Sequence, residues 1–335
     1  MQKDFHYCAM YVLAVEAGFT RSDAAIIAYA SQYVDDATEG EPVALSGGQI
    51  FDAVRTAHVG LQSFDWDVQK KIYMPFHFLP NVVRREHRRR FSYVTRPARL
   101  DAEPRCLAQL LFDQAADEPD ARLRLVRLGV ALHAVADTFA HCGFSGRQGS
   151  ENDVEAIETA RDGGGWDLHW LQSATDVLRP RIGHAEALSY PDEPFRTWRY
   201  RNGAGRPVVR DNGKLFRAAA GVVLTLLKRA SGAALPAGQT LACPRRVDEL
   251  LRCASDETGR CRQWQRSDPS MPPYDPEAWR SAALGGDVRW DRAARPRQAR
   301  MLARVAAKPG FERSLWALFH RAAFLQRAWV WQWIN

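Results

Sequence analysis

Apolar residues recur along this chain mainly three and four positions apart, which is the spacing of one face of an α-helix. The first two segments with this pattern are residues 4 to 17 and residues 20 to 36. The second opens on Thr-Arg-Ser-Asp at residues 20 to 23, which has the form of a capping box and predicts a helix start. The beginning of the chain is therefore predicted to be helical.

Helical spacing returns further along the chain. It is most regular over residues 120 to 142, and it predicts further helices over about 167 to 178, after Asn212 and Gly213, and from about residue 310 onward. The alternating pattern that is typical of strands is hard to find. We therefore predict an all-α fold, built as a multi-helix single globular domain.

The amino-acid composition shows an excess of positive charge. The formal net charge is +7, which favours anionic partners such as phosphate groups, nucleic acid or acidic lipid headgroups. Much of the excess is arginine, and the densest run consists of Arg84, Arg85, Arg88, Arg89 and Arg90. Two interpretations of the run stay open: a solvated surface, or a rim that binds phosphate groups.

Targeting and membrane-spanning segments are not visible in the sequence. An amphipathic stretch follows Met1 where a signal peptide would have an apolar core, and no stretch reaches the roughly 18 to 20 apolar residues of a spanning helix. The six cysteines contain no CxxC pair, as is typical of reduced thiols. We expect a cytoplasmic protein. Delivery by a signal-independent secretion system is the alternative, and Cys253 and Cys261 would then be candidates for a disulfide.

The predicted helix over residues 120 to 142 carries the candidate chemistry. His133, Asp137 and His141 are four positions apart and therefore share one face of that helix. A buried carboxylate needs a cation or hydrogen bonds to compensate for its desolvation. Zinc suits this set because it binds imidazole nitrogen and carboxylate oxygen. The alternative, from these three residues alone, is a hydrogen-bonded His-Asp-His row without metal.

Further histidines and acids strengthen the metal hypothesis. His6 lies at the start of the first helix, His77 stands between apolar residues in a turn, and His184 precedes Asp192 in a later turn. The second helix ends in an acidic pair that includes Asp35. Several histidines in apolar segments, accompanied by inward-facing acids, are difficult to explain without metal.

The order of these residues resembles that of the zinc-dependent phospholipase C and single-strand-specific nuclease superfamily. The shared order begins with an early His, an Asp at a helix end and a His in an apolar turn. It continues with a helix that carries His-x3-Asp and a further His, and it ends with a late His followed by an acid. Ala136–Gly146 and Gly183–Asp192 also look similar to an uncharacterised bacterial family, a suspected branch of the superfamily. The resemblance spans about residues 1 to 230 and implies an all-helical fold with three zinc ions at the base of a cleft.

The resemblance implies that the histidines and aspartates of this pattern are metal ligands. Two or three zinc ions are expected, with other divalent metals as alternatives, and Asp137 is expected to bridge two of them. The implied sets are Asp35, His77, His133 and Asp137 for one ion, His141, His184 and Asp192 for a second, and His6 with the Met1 amino group for a third.

The chain departs from the superfamily pattern at two of its ligands. It has Met1 and Gln2 where the superfamily enzymes expose a tryptophan, and we expect Met1 to be retained because Gln2 is bulky. The last ligand of the central helix, His141, stands four residues after Asp137, without the longer Pro-containing gap of the superfamily.

A third departure concerns the last acid of the pattern. Asp192 stands eight residues after His184, where the superfamily has a shorter spacing. Glu186 and the pair Asp167 and His169 therefore remain rivals for this position.

The function expected from these assignments is phospholipase-C-like, metal-dependent hydrolysis of a phosphodiester. Metal-activated water would attack phosphorus, with Asp35 as the catalytic residue that orients the water or accepts its proton. The arginine run would neutralise phosphate oxygens. The expected substrate is a phospholipid headgroup or another phosphodiester, and Trp329, Trp331 and Trp333 are candidates for peripheral membrane contact.

Two alternative functions stay open. A nuclease would use the same metal site and would need aromatic stacking platforms beside basic groups, for which Phe91, Tyr93 and Arg96 are candidates. A non-enzymatic, metal-stabilised scaffold would fill the coordination of its metal with protein ligands.

The assignments divide the chain into three parts. Residues 1–230 are expected to form the metal-binding helical hydrolase core. Residues 231–295, rich in Pro, Gly and charge, are expected to be a loop-rich insertion or lid. Residues 296–335 are expected to form C-terminal helices that pack on the core.

Overall fold

Helices form most of the protein. A computed structural model describes residues 1–38, 42–45, 50–57, 65–85, 88–101, 105–161, 164–168, 181–236, 238–285 and 306–334. Two π-helical turns belong to longer helices: Asp4–Ala9 leads into α1, and Gln69–His77 continues α3. The helices are α1 (Met10–Glu16), α2 (Arg21–Asp36), α3 (Trp66–Val68), α4 (Leu107–Ala116), α5 (Ala121–Ala140), α6 (Asn212–Ala230), α7 (Arg245–Leu251), α8 (Glu257–Ser267), α9 (Ala278–Ala283) and α10 (Leu315–Ile334).

Strands are also present, and the predicted all-α fold is wrong. Four of them form an antiparallel sheet in the order β6-β5-β7-β8, and the others pair as β1-β2, β3-β4 and β9-β10. The protein is therefore mixed α/β. The strands are β1 (Pro42–Ala44), β2 (Ile50–Asp52), β3 (Asn81–Arg85), β4 (Arg88–Ser92), β5 (Val154–Ala160), β6 (Trp166–Leu168), β7 (Thr197–Asn202), β8 (Pro207–Asp211), β9 (Leu284–Gly285) and β10 (Ala306–Ala307).

The four-stranded sheet escaped prediction because its strands are short, charged and irregular. In β5 the pairing with β7 shifts between Glu155 and Glu158, and Ala156 within that bulge has a φ of 51°. A bulge interrupts the strict alternation by which a strand is recognised in a sequence. In β7 the buried rings of Trp198 and Tyr200 do alternate with more exposed residues, but over only six positions.

The helices agree more closely with the sequence pattern. The Thr20 hydroxyl accepts a hydrogen bond from the Asp23 amide and begins α2, as the capping box predicts. The last helix begins at Leu315, later than predicted, because Gly310 adopts a φ of 76° before a 3-10 turn. The helix predicted over 167 to 178 begins instead as β6, and its remaining residues lie outside the described part of the chain.

The centre of the fold is α5, which packs against α2, α4, α6 and α10. Every residue of this helix from Val126 to Ala140 is buried. A helix that is covered on all sides must hold its polar groups within the protein. The face with His133, Asp137 and His141 therefore lies in the interior, beside the apolar core.

The close approach of α2 to α5 depends on Gly129. A Cβ atom at this position would lie 2.3 Å from the Ile27 carbonyl oxygen and 2.6 Å from the Ala30 Cβ. We expect Gly129→Ala to force the helices apart and to lower the free energy of unfolding by about 1 to 3 kcal/mol. Urea unfolding would measure this, with the exposed change Arg122→Ala on the same helix as control. Equal stability of the two variants would contradict the prediction.

A smaller apolar cluster lies between the sheet and the segment that follows α5. Phe144, Ile157, Trp198 and Tyr200 are buried in it, together with Phe78 from the turn after α3. This cluster fixes the position of the chain immediately after His141. Among the described helices, none combines the length and apolar content that crossing a membrane requires.

Candidate metal centre

Asp137 lies at the centre of a buried polar cluster that α5 projects towards α2 and the beginning of the chain. Its side chain is only 1% exposed. One carboxylate oxygen, Oδ1, lies 2.6 Å from the Met1 nitrogen and 3.1 Å from His6 Nε2. The side chains of both contacting residues are themselves buried.

The other carboxylate oxygen of Asp137 faces imidazole nitrogens. Oδ2 has no hydrogen-bond partner among the described residues although it is fully buried. Its nearest polar neighbours are His133 Nε2 at 3.3 Å, His77 Nδ1 at 3.4 Å and His141 Nδ1 at 3.5 Å. An unpaired carboxylate oxygen surrounded by ring nitrogens is the arrangement expected around a cation.

Asp35 completes this side of the cluster from the end of α2. Its Oδ1 lies 3.7 Å from His77 Nδ1 and 3.7 Å from His133 Nε2. With a side chain 31% exposed, Asp35 is the most accessible carboxylate of the cluster. The cluster is therefore open to solvent on the side of Asp35.

A neighbouring group lies where the chain after α5 meets the 184–192 turn. His141 Nε2 lies 3.2 Å from Asp192 Oδ1, and His184 Nε2 lies 3.3 Å from Asp192 Oδ2. The Met1 nitrogen is 3.1 Å from the same Asp192 Oδ1 and so connects this group to Asp137. The Phe78 ring stacks on His141 with 4.6 Å between centroids.

The structure brings all eight predicted ligands together in one region. Their ligand atoms form three groups, within each of which all atoms lie within 4.8 Å of one another. His133 belongs to two of these groups, because its ring stacks on that of His6 at 3.8 Å. The groups are His6, His133 and Asp137; Asp35, His77 and His133; and His141, His184 and Asp192.

Two of the rivals to Asp192 lie elsewhere. Glu186 accepts a hydrogen bond from the Val154 amide, which is at the start of β5. Asp167 lies on the outer strand of the sheet, where it forms an exposed ion pair with Arg161. The third rival, His169, lies outside the described residues. Of the acids that the structure describes there, Asp192 is the one in contact with His141 and His184.

The protonation of four histidine rings follows from their backbone contacts. A carbonyl oxygen can only accept a hydrogen bond, so the ring nitrogen facing it must carry the proton. These contacts are His133 Nδ1 to Ser31 O (2.8 Å), His77 Nε2 to Thr56 O (2.8 Å), His141 Nδ1 to His77 O (2.7 Å) and His184 Nδ1 to Leu188 O (2.9 Å). Metal-binding histidines are commonly oriented in this way.

The second nitrogen of each of these rings then presents a lone pair. His133 Nε2 and His77 Nδ1 face each other at 3.2 Å, so that two lone pairs point at one another if both rings are neutral. His184 and His141 direct theirs at Asp192. Facing acceptors repel unless a proton or a metal ion lies between them. The residues therefore fit a cluster of divalent metal ions.

Against the effect of burial, the hydrogen bond to Asp137 and the charge of Asp35 raise the pKa of His77, whereas two other rings of the cluster are held neutral. Burial and the neighbouring charge of His141 lower the pKa of His184 to about 4, despite the opposing effect of Asp192, so this ring is neutral near pH 7. Burial also holds the pKa of His6 well below its usual range, and the charges of His133 and the Met1 amino group act in the same direction. At neutral pH these rings would offer lone pairs rather than positive charge.

Asp137 and Asp192, by contrast, are held ionised. Burial acts against ionisation of Asp137, but the facing His141, the Met1 amino group and His133 outweigh it and hold its pKa well below the usual value. Burial likewise opposes ionisation of Asp192, and His184 and the Met1 amino group reverse that effect and lower its pKa. Ionised Asp137 and Asp192 thus lie beside neutral His6 and His184, and these are the forms in which carboxylates and imidazoles bind metal.

Sequence reasoning missed the groups that orient the ligands. Three of them are the backbone carbonyls of Ser31, Thr56 and Leu188, which no residue type could have indicated. The arginine run lies in the β3–β4 hairpin, and its side chains are outside the described part.

The fold and the site together define a mixed α/β protein with a buried histidine and aspartate cluster suited to divalent metal. The chain belongs to a family of unknown function, DUF6765, which matches residues 1–334. No curated protein and no solved structure matches this chain significantly.

Proposed function

We propose that this protein is a metal-dependent phosphoesterase, with zinc as the expected metal. The observation that supports this most strongly is the 3.2 Å approach of His133 Nε2 to His77 Nδ1, next to the unpaired Oδ2 of Asp137. Both features are costly in a metal-free interior and favourable around a cation.

Three sets of residues would hold the metal. His133 is within reach of two of these sets, so its assignment to one ion follows the resemblance. Asp137 is placed to bridge, since both of its oxygens face possible ligands. The sets are Asp35, His77, His133 and Asp137; His141, His184 and Asp192; and His6 with the Met1 nitrogen.

Divalent metal, when bound, lowers the pKa of a water molecule and stabilises charge on phosphate oxygens. The protein itself supplies a proton acceptor at the open side of the cluster. Burial raises the pKa of the Asp35 carboxyl, against the effect of His133 and His77, which makes Asp35 Oδ1 or Oδ2 a stronger base. Asp35 would orient the attacking water or accept its proton.

The open side of the cluster favours an enzyme over a metal-stabilised scaffold. His77, His184 and Asp192 keep side-chain exposures of 12%, 17% and 14%, and Asp35 is more exposed still. A structural metal site is usually closed by protein ligands, whereas a catalytic site keeps an accessible position.

A chromogenic phosphodiester, single-stranded DNA and phospholipid vesicles, each incubated with zinc-loaded protein, test the proposal. We expect metal-dependent turnover of at least one of them. A protein that holds zinc but hydrolyses none of the three would instead be a scaffold.

An aromatic and cationic surface group supports nucleic acid as the substrate. The Tyr93 ring contacts Phe91 at 4.5 Å and Trp66 at 6.3 Å, and the Arg147 guanidinium lies 4.6 Å above it. Trp66 is 47% exposed, with Lys70 5.9 Å from its ring. The sequence did not single out Arg147 as a cation beside this ring. Aromatic rings beside cations are typical of single-strand binding.

The lipid alternative gains less support from the structure. Trp329, Trp331 and Trp333 are partly buried on α10, and the Trp331 indole donates a hydrogen bond to the Lys70 carbonyl oxygen at 2.9 Å. These rings pack against the protein rather than forming an open apolar belt. A lipid substrate therefore rests on the resemblance.

We expect Trp66→Ala to weaken the binding of single-stranded DNA by about 1 to 3 kcal/mol, since one base loses its stacking partner. Fluorescence anisotropy with an uncleavable phosphorothioate oligonucleotide would measure the change. Phe324→Ala is the matched control, because Phe324 is an exposed ring on α10. Equal affinity in both variants would remove this support for a nuclease.

A further inference from the structure

Two of the proposed ligands, Met1 and His6, lie in the first residues of the chain. We define residues 1–8 as the ligand arm. The arm has a helical backbone, in which the Phe5 and His6 amides donate to the Gln2 carbonyl oxygen at 2.9 and 3.0 Å. Both ligand atoms reach the same oxygen, Asp137 Oδ1. A small rotation or shift of the arm would therefore remove both from the cluster.

One arginine from a distant part of the sequence holds this arm. Arg260 on α8 is 1% exposed, and its Nε donates to Asp4 Oδ2 at 2.7 Å. Its two terminal nitrogens donate to the Gln2 side-chain oxygen and to the Ser255 carbonyl oxygen. A single guanidinium thus joins two side chains of the arm to the backbone that precedes α8.

Further contacts join the same two segments on either side of Arg260. Lys3 forms an ion pair with Glu257 at 3.2 Å. The neighbouring Cys261 thiol, together with burial, raises the pKa of the Cys8 thiol well above its usual value, so these two side chains also lie next to each other. Residues 255–261, which we call the clasp, therefore contact the arm along its length from Gln2 to Cys8.

The buried ion pair is an expensive way to stabilise this contact. Asp4 and Arg260 are each 1% exposed as side chains, and Asp4 Oδ1 has no hydrogen-bond partner among the described residues. An apolar pair of similar size commonly gives equal or greater stability than a buried ion pair. What the planar guanidinium adds is a fixed geometry, since it holds three acceptors at set angles.

We propose that Arg260 is a positioning residue, and that the clasp holds the ligand arm in register for the metal bound by Met1 and His6. This assigns a role to a part of the chain beyond residue 230, to which the superfamily resemblance does not extend. The inference rests on the proposed function, because it requires that the cluster binds metal.

The test compares Arg260→Met and the double variant Asp4→Leu with Arg260→Met. The double variant keeps an apolar contact, so it separates loss of position from loss of folding. Arg245→Met is the control, since it removes an exposed ion pair with Glu249. Elemental mass spectrometry gives metal per chain, and an amine-reactive ester at neutral pH gives the rate at which the Met1 amine is labelled.

We expect both clasp variants to bind one metal equivalent fewer than the wild type and the control, with the other metals retained. We also expect their Met1 amine to be labelled roughly tenfold faster, because the arm opens more often. Unchanged stoichiometry and labelling in the folded double variant would overturn the inference. A wild type that binds no metal would overturn the proposed function, while the labelling rates would still show whether the clasp holds the arm.

Discussion

Replacing Asp137 with asparagine is expected to remove bound metal and to lower phosphodiester hydrolysis by more than about 100-fold. Substitutions of groups that merely orient metal ligands already cost 10- to 100-fold, and Asp137 contacts the cluster directly through both oxygens. Asparagine keeps the size of the side chain but loses its charge and one acceptor. Zinc affinity, measured by competition with a chromogenic chelator, and hydrolysis of a chromogenic diester give the two readouts.

Asp113→Asn provides a matched control for this change. It removes one carboxylate from a partly exposed ion pair with Arg105, which is expected to alter neither readout. If Asp137→Asn bound zinc and hydrolysed the diester as the control does, Asp137 would not be a ligand, and the assignment of the centre would be wrong.

Removing the metal is expected to lower the melting temperature by about 6 °C for each ion lost. A ligand present at about 1,000 times its dissociation constant stabilises a protein by about 4 kcal/mol, and each kcal/mol corresponds to roughly 1.4 °C in a chain of 335 residues. Without metal, the facing nitrogens of His133 and His77 would repel each other if both rings are neutral, and Asp137 Oδ2 would lack a hydrogen-bond partner in the interior. Calorimetry before and after dialysis against a chelator measures the shift.

Added zinc is expected to restore the original melting temperature. The Asp137→Asn variant serves as the control, because a protein that has already lost its metal should be insensitive to the chelator. A wild-type melting temperature that the chelator leaves unchanged would mean that hydrogen bonds, not metal, stabilise the cluster.

The local part of the site was accessible from the sequence. His133, Asp137 and His141 share a face because of helix geometry alone, and the structure places them together in the interior. The assignment of the other ligands depended on the order of residues along the chain, because a sequence does not display contacts. These ligands are His6, Asp35, His77, His184 and Asp192. All eight converge, while their role as ligands stays a prediction.

The choice between Asp192 and Glu186 could not have been made from spacing. It depends on how the chain turns between His184 and Asp192, where Gly183 and Leu188 have φ values of 57° and 56°. Such a loop cannot be derived from residue types, because Leu rarely adopts this conformation. The contact of Arg260 with Asp4 is likewise a product of the tertiary fold.

The sheet was missed for a different physical reason. Its strands are short, and one of them contains a bulge at Ala156, so periodicity gave too few repeats to recognise. The periodic pattern of a helix extends over more residues and is easier to recognise, as in α5 (Ala121–Ala140). The all-α prediction therefore described the helical core and overlooked the sheet that packs beside His184.

The central claim, that the cluster binds divalent metal, is tested most directly by counting metal per chain. The protein would be purified without added metal and analysed by elemental mass spectrometry for zinc, manganese and iron, beside a His133→Ala variant. We predict two or three equivalents in the wild type and a clear loss in the variant. A count near zero that does not rise when metal is added back would contradict the account, and the cluster would then be a hydrogen-bonded network.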